Sequence, residues 1–299
     1  GVILRVRDED LRRNLAMKVM LGQGEAAGEG DTPEVDPALL TRFLEEAQLT
    51  GQLDHPGIVP VHELGLDADG RVYFTMRLVK GRELKEILAG GGDESWSRTR
   101  TLGVFLRICE TLAYAHEKGV IHRDLKPANV MVGRFGEVYV MDWGLAKLLD
   151  RDDDRDLRVK EPESSLVQTD RHDAISDDLD SPLMTMAGTV VGTPTYMSPE
   201  QASGRVEDLG PKSDVYAVGA MLYHLLAGHQ PYVKPGERVS PLTILNAVRN
   251  GPPQPIHEID PRVPAELVAI CEKAMARELD ERYASMAELA EDLRRYLED

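Results

Sequence analysis

Three polar side chains suited to metal binding or proton transfer lie close together in the middle of the chain. Asp124 and Asn129 belong to the run His122–Asn129, and Asp142 begins an Asp-Trp-Gly run thirteen residues after Asn129. Short apolar runs around two glycines predict a hairpin from Asn129 to Met141, which would return Asp142 to the side of Asn129. Because an amide oxygen and a carboxylate together suit a hard cation, we predict a Mg²⁺ site here.

The remaining charges of this segment indicate phosphoryl transfer. Lys126 lies two residues after Asp124, so the lysine can point to the same side and place its charge near a phosphate. Asp124 is then available to orient a hydroxyl group or to accept its proton. Such a set fits a reaction in which positioning and charge neutralisation supply most of the catalysis.

The same residues resemble the catalytic motifs of the eukaryotic-like Ser/Thr protein kinases of bacteria, and the resemblance covers nearly the whole chain. It implies that Asp124 is the catalytic base and that Lys126 contacts the γ-phosphate of ATP. It also implies that Asn129 and Asp142 bind Mg²⁺ or Mn²⁺. Trp143 departs from the family, which has Phe there. We expect function to be retained with altered packing, provided that the indole N–H finds a partner.

A strand lysine and a helix glutamate are predicted to form an ion pair. Lys18 alternates with apolar residues in the predicted strand Leu15–Met20, where an unpaired ammonium would be costly to bury. By resemblance it binds phosphate, and Glu46, on a helix predicted for Pro37–Leu53, is its partner. Glu45 remains the alternative. Since one residue turns a helix by about 100°, only one of the two glutamates should face the cleft.

The resemblance also implies a nucleotide-binding cleft where two lobes join. Met76 would be the gatekeeper beside the adenine, and the backbones of Arg77 and Val79 would bind the adenine edge. Ala16 would contact the base from above and Met131 from below. Arg77 departs from the acidic residue common at its position, which should matter little because backbone groups make the contact.

The Gly-rich loop of the family is only partly present. Gly1 matches its final glycine, and Ile3 matches the Val position that would contact the adenine from above. The first strand and the two earlier glycines are absent from this sequence, so we expect weaker nucleotide binding and slower transfer. Since the sequence starts without Met, we expect it to be a piece of a longer protein, whose upstream part would hold an intact loop.

The end of an activation segment is a further part of the resemblance. Gly192–Glu200 resembles the platform that holds a peptide. Thr193 would hydrogen-bond toward Asp124 and Lys126 in the run His122–Asn129, which we call the catalytic segment. Glu200 would pair with Arg282, and Asp214 would anchor the catalytic segment from a buried helix. The platform implies protein substrates, and Lys126 resembles the pattern of kinases that act on Ser or Thr, not that of tyrosine kinases.

Phosphorylation is expected to control this segment. Arg123 places a cation directly before the predicted base, where a phosphate on the activation segment could neutralise it. Thr185 and Thr189 are the best-placed acceptors, and autophosphorylation, with self-association of two chains, is expected. The stretch Asp150–Asp180 holds twelve acidic residues against five basic ones, which predicts a solvated, mobile loop.

The order of predicted elements indicates an α+β protein with two lobes. Residues 1–80 are mainly strands with one helix, residues 81–299 are mainly helical, and the acidic insertion occupies about 150–185. A strand-rich piece followed by a helical piece favours a cleft between them. The resemblance implies the bilobal protein-kinase-like fold, with a small antiparallel sheet lobe and a larger helical lobe.

Charge and composition exclude several other classes of protein. With 35 basic and 52 acidic residues the net charge is −17, and the predicted pI is about 4.9. We therefore expect no binding to nucleic acid and no membrane contact by this domain. Cys109 and Cys271 are predicted to be buried thiols of a reducing compartment. We expect a cytoplasmic domain, and the resemblance is compatible with a membrane anchor elsewhere in the longer protein.

Two other functions stay open at this stage. A non-catalytic, kinase-like binding module is compatible with the partial Gly-rich loop and with Trp143, although the joint presence of the metal-binding and phosphate-binding residues argues against it. A small-molecule kinase of the same fold is disfavoured by the peptide platform.

Overall fold

The computed structural model describes residues 1–21, 36–90, 96–149 and 194–298, which form a small sheet-rich lobe and a larger helical lobe. The predicted acidic loop lies outside these residues, as do Thr185, Thr189 and Thr193. In the described part of the chain, no helix has the length and apolar character that a membrane crossing requires. Cys109 and Cys271 are buried free thiols, as predicted.

The small lobe is an antiparallel sheet with one helix packed against it. Four strands form the sheet in the order β1-β2-β4-β3: β1 Val2–Asp8, β2 Arg13–Val19, β3 Val61–Leu66 and β4 Val72–Arg77. Helix α1 (Pro37–Gln52) begins where the Asp36 carboxylate accepts a hydrogen bond from the backbone N–H of Ala38, a favourable N-cap. The buried side chains Phe43 and Ala47 fix α1 to the inner face of the sheet.

One predicted strand is shorter than expected. The sequence predicted a strand over Ile58–Leu66, but β3 begins at Val61, and the backbone N–H of Ile58 instead closes a turn onto the carbonyl of His55. Ile58 then forms a parallel bridge with Val140 in the larger lobe. Ile58 therefore pairs with the larger lobe and cannot join the sheet of the small lobe, which begins at Val61. The sequence also predicts strands over Val2–Arg7, Leu15–Met20 and Arg71–Val79, and these agree with β1, β2 and β4 to within two residues at each end, as the predicted helix agrees with α1.

The turn before β3 is fixed to the larger lobe. The carbonyl of Gly57 accepts a hydrogen bond of 2.9 Å from the N–H of Val140, and the N–H of Asp54 donates to the Tyr114 hydroxyl at 3.1 Å. A Cβ atom on Gly57 would lie 2.0 Å from Oγ1 of Thr111, so only glycine allows this close approach.

The larger lobe packs around helix α5 (Pro211–Ala227), which is buried on nearly every side, as its continuous apolar sequence predicted. Short strand β5 (Gly81–Glu83) pairs with the strand Val130–Gly133 of this lobe, so we propose the boundary between the lobes at residues 80 and 81. The remaining elements are α2 Leu84–Leu88, α3 Arg98–Glu117, β6 Val120–Ile121, β7 Val130–Gly133, β8 Val138–Val140, β9 Lys147–Leu148, α4 Pro199–Ala202, α6 Pro241–Asn250, α7 Ile256–Ile259, α8 Ala265–Ala274 and α9 Met286–Glu298.

Candidate active site

Asp124, Lys126 and Asn129 meet in the segment between β6 and β7, as predicted. The Lys126 ammonium donates to Oδ2 of Asp124 at 2.6 Å. The amide nitrogen of Asn129 donates to the Asp124 backbone carbonyl at 2.9 Å and to Oδ2 at 3.1 Å. These bonds use the nitrogen of the Asn129 amide, so its oxygen is available to a cation, and they leave Oδ1 of Asp124 available to a hydroxyl group.

The hairpin β7–β8, predicted from the apolar runs around Gly133 and Gly136, returns the chain to Asn129 immediately before Asp142. The backbone N–H of Met141 donates to the Asn129 carbonyl at 2.7 Å. The Asp142 side chain is 52% exposed, so it can reach a ligand in the cleft, and its Oδ1 lies 4.0 Å from the Lys18 ammonium. The backbone of Asp142 has φ 60°, in the left-handed region that non-glycine residues rarely adopt.

Glu46, not Glu45, faces the cleft. The Lys18 ammonium donates to both carboxylate oxygens of Glu46, at 2.5 and 2.7 Å, while Glu45, the preceding residue of α1, is exposed. Burial raises the pKa of Glu46, and the charge of Lys18 opposes this rise. The predicted ion pair is therefore formed.

Trp143 lies in a closed apolar slot, and its indole N–H has the partner that the sequence required. The side chain is buried, and Nε1 donates to the Val140 carbonyl at 3.2 Å. Its ring packs against the His122 ring, with 4.7 Å between centroids. His122 in turn contacts the Met141 carbonyl through Nε2, at 3.0 Å.

The glycine after Trp143 lies in a confined space between two carboxylates. A Cβ atom on Gly144 would lie 3.0 Å from Oε2 of Glu46 and 3.3 Å from Oδ1 of Asp142. Sequence reasoning missed this confinement, because nothing local in the chain shows that α1 approaches the Asp-Trp-Gly segment here.

Asp214 holds the catalytic segment from below, as predicted. Its carboxylate accepts hydrogen bonds from the backbone N–H groups of His122 and Arg123, at 2.8 and 3.0 Å. It also bonds Nε2 of His116 at 2.8 Å, a contact that the sequence did not indicate. Burial alone would raise the pKa of Asp214, but the hydrogen bond and charge of His116, with contributions from His122, outweigh it and lower the pKa.

The residues predicted around the adenine share one face of the small sheet. Ala16 pairs with Met76 across β2 and β4, and Ile3 pairs with Lys18 across β1 and β2. Ala16 is buried, Met76 is half-buried and Ile3 is 60% exposed at the open side of the sheet. Gly1 precedes β1, and a Cβ atom there would lie 2.9 Å from the Val19 carbonyl.

The join between the lobes carries the other predicted cleft residues. Met131 and Val79 are both half-buried, on β7 and just after β4. Arg77 turns its guanidinium toward the larger lobe, where it donates to the Tyr139 hydroxyl at 3.2 Å. This contact across 62 positions was not predicted.

The pair Glu200–Arg282 ties the peptide-platform end of the chain to its C-terminal part, as predicted. Two guanidinium nitrogens donate to the two carboxylate oxygens at 2.7 and 2.8 Å, and both side chains are fully buried. Burial would raise the pKa of Glu200, but the bonds to Arg282 keep it low. Thr193 of the same platform lies outside the described residues.

The donor set fits a small, hard cation. Among the described residues no cluster of three or more His, Cys, Asp or Glu side chains could hold a metal by itself. Asn129 and Asp142 instead offer one amide oxygen and one carboxylate. Mg²⁺ commonly binds one or two protein oxygens together with water and substrate phosphates, so this sparse set is sufficient.

Comparisons with known proteins cover nearly the whole chain. The family model described as protein kinase domain matches residues 1–293. The chain is 37% identical to serine/threonine-protein kinase PknD of Protochlamydia amoebophila over 88% of its own length and 26% of the relative. It is 35% identical to PknD of Chlamydia trachomatis, over 87% of the chain and 27% of the relative. A probable serine/threonine-protein kinase of Corynebacterium efficiens is 37% identical over 84% of the chain and 34% of the relative. The chain thus spans about a quarter to a third of the length of these relatives.

Proposed function

Because the chain belongs to the protein kinase domain family, we propose that it transfers the γ-phosphoryl group of ATP to Ser or Thr hydroxyl groups of proteins. One observation carries the proposal. The Lys18 ammonium, paired with Glu46, lies 4.0 Å from Oδ1 of Asp142, and Asn129, which bonds Asp124, accepts a backbone hydrogen bond from Met141, the residue before Asp142. A cation, phosphates and a hydroxyl group can therefore be bound at neighbouring positions.

Asp124 is the proposed base. Lys126 and Asn129 fix its Oδ2, which leaves Oδ1 to accept the proton of the substrate hydroxyl. As the hydroxyl oxygen bonds to the γ-phosphorus, the bond from that phosphorus to the bridging oxygen breaks and ADP leaves with the electron pair. Asp124 then holds the proton, which it releases to solvent.

Asn129 and Asp142 are the proposed ligands of Mg²⁺ or Mn²⁺. When bound, the ion would neutralise phosphate charge. Lys18 is proposed to hold the more remote phosphates, since Glu46 fixes the position of its ammonium group. Lys126 would supply a second positive charge on the γ-phosphate side.

Seven further positions are proposed to bind the nucleotide. Met76 and the backbones of Arg77 and Val79 would contact the adenine edge, and Gly1 would lie near the phosphates. The remaining three, Ala16, Ile3 and Met131, would enclose the base.

The test of this function compares the wild-type chain with Asp124→Asn. Transfer of labelled phosphate from ATP to a protein substrate should fall by about 10²- to 10⁴-fold in the variant, the usual contribution of a general base. Asp208→Asn, at a surface ion pair with Arg205, is the matched control and should keep full activity. Equal transfer by wild type and Asp124→Asn would refute the proposal. Neither the family match nor the names of the relatives favour a non-catalytic module.

We also propose that the chain phosphorylates itself, with Thr185 or Thr189 as acceptor and a second copy as the enzyme. Mass spectrometry of active protein should find phosphate on one of these residues, and the rate should rise with protein concentration. Active protein with both residues unmodified would contradict this. A reducing, cytoplasmic location is proposed for the domain, since it fits two free thiols.

A further inference from the structure

We propose that the indole N–H of Trp143 locks the backbone of Asp142 in its metal-binding orientation, which makes Trp143 a positioning residue. The proposal rests on the function proposed above, in which Asp142 is a metal ligand. Its basis is the hydrogen bond from Nε1 of Trp143 to the carbonyl of Val140, because this bond spans the two residues between them, Met141 and Asp142.

Asp142 needs such a lock. Its φ of 60° lies in a region that a side chain with a Cβ atom rarely adopts, so the surrounding structure must hold it there. The bond from Trp143 to Val140 closes a ring around this residue. If the ring opens, Asp142 can relax toward an ordinary backbone conformation and turn away from Lys18.

The backbone contacts on either side of Asp142 are made by its neighbours, Met141 and Trp143. On one side the N–H of Met141 donates to the Asn129 carbonyl at 2.7 Å, and on the other the N–H of Ala146 donates to the Trp143 carbonyl at 2.9 Å. The side chain of Trp143 is the element that connects these two anchors. Its ring also packs on His122, which bonds the Met141 carbonyl.

A phenylalanine could fill part of this slot but has no donor. Val140 is fully buried, so its carbonyl would lose this bond without gaining water. A buried hydrogen bond of this kind shifts an equilibrium by about two- to tenfold. The fraction of molecules with Asp142 correctly placed would fall accordingly, and the apparent affinity for metal-bound nucleotide falls with that fraction.

The first experiment is hydrogen exchange of the protein without nucleotide, so its result does not depend on catalysis. In Trp143→Phe, the amides of Met141 and Ala146 should exchange about two- to tenfold faster than in wild type. The amide of Gly133, which bonds the Glu137 carbonyl at the far end of the same hairpin, should exchange at an unchanged rate. Unchanged exchange at Met141 and Ala146 would overturn the proposal, as would equal acceleration at Gly133.

The chain contains two tryptophans, which provides a matched control. Trp96 is distant from Trp143 in the sequence, and Arg100 stacks on its ring. Trp96→Phe should therefore leave the amide exchange of Met141 and Ala146 unchanged. In that background, benzothienylalanine at position 143 keeps the shape of the indole and removes only the N–H. It should accelerate exchange as Phe does. Wild-type exchange with this analogue would assign the effect to ring packing and overturn the lock.

The second readout is kinetic. Trp143→Phe should raise the KM for Mg-ATP, by at most about tenfold, and leave kcat at saturation unchanged, because saturating nucleotide selects the correctly placed fraction. A fall in kcat with KM unchanged would indicate a general structural defect and refute the lock. If wild type itself transfers no phosphate, the proposed function fails, while the exchange experiment still decides whether Trp143 holds Asp142.

Discussion

Replacing Glu46 by Gln keeps the shape of the side chain but removes the charge that faces Lys18. The ammonium lies 2.5 and 2.7 Å from the two carboxylate oxygens, and the two side chains are only 20% and 11% exposed, so solvent screens the pair weakly. A hydrogen bond between charged groups contributes about 1.5–3 kcal/mol. If that energy orients Lys18 during transfer, kcat/KM should fall by about 10- to 150-fold.

Glu45→Gln is the matched control for this prediction. Glu45 is the preceding residue of α1 and is exposed, so the same chemical change there should leave kcat/KM within about twofold of wild type. Steady-state phosphate transfer at saturating and subsaturating ATP measures both variants. If Glu46→Gln retains wild-type kcat/KM, or if the two variants lose activity equally, the assignment of Glu46 as the functional partner of Lys18 is wrong.

The thermal stability of Glu46→Gln should change less than its activity does. Because burial raises the pKa of Glu46, the folded protein binds this proton more tightly than the unfolded chain does. The carboxyl group therefore favours folding below its ordinary pKa of 4.5, and that contribution is lost as the pH rises through the folded-state pKa. At pH 7 Gln removes a carboxylate that burial disfavours but leaves the Lys18 ammonium without its charged partner, so the melting temperature should fall by less than in Glu200→Gln, and calorimetry at pH 5 and 7 tests this. A drop at pH 7 as large as that of Glu200→Gln would contradict the argument.

Three further substitutions test the structure around the site. Gly144→Ala places a methyl group 3.0 Å from Oε2 of Glu46, and the resulting overpacking of about 1–3 kcal/mol should appear as a loss of transfer activity in steady-state kinetics. Asp214→Asn should lower the free energy of unfolding by about 3–5 kcal/mol in chemical denaturation. Burial opposes the ionised form of Asp214, but its hydrogen bonds outweigh burial and lower its pKa below 3.8. The ionised carboxylate therefore stabilises the folded protein at higher pH, and this stabilisation is lost as the pH falls through the folded-state pKa. Glu200→Gln should cost about 3–5 kcal/mol, because it leaves the Arg282 charge buried and unpaired, whereas replacing both residues by apolar ones should cost less.

Each of these has a result that would contradict it. If Gly144→Ala has wild-type kinetics, the Glu46 side chain or helix α1 can shift away from the added methyl group at little cost. Acid unfolding at the same pH in Asp214→Asn and wild type would mean that this carboxylate does not control acid stability. A double apolar variant less stable than Glu200→Gln alone would mean that the ion pair stabilises the fold by more than its desolvation costs.

The parts of the site that depend on local spacing could be predicted from the sequence. The hairpin after Asn129 has a fixed length, so its second strand must return Asp142 to the first. Because successive residues of a helix point about 100° apart, the sequence predicted that either Glu46 or Glu45, but not both, would pair with Lys18. In the structure the partner is Glu46. The bilobal arrangement followed from the order of strands and helices.

The unpredicted contacts join residues that are far apart in the chain. The confined space at Gly144 arises from the carboxylate of Glu46, and the orientation of Arg77 arises from a hydroxyl 62 positions away. Ile58 looked like part of a strand because its neighbours are apolar, but its partner is Val140. The hydrophobic pattern of a sequence indicates which residues are buried, but it does not indicate which element packs against them.

The attachment of Gly57 and Asp54 to the larger lobe makes the C-terminal end of α1 a pivot. Glu46 lies six residues before that end, which corresponds to a lever arm of about 9 Å. A swing of the helix by about 10° then carries the carboxylate through about 1.6 Å, enough to break its contact with Lys18. A tilt of that size would separate Glu46 from the Lys18 ammonium without requiring any change in the segment between β6 and β7.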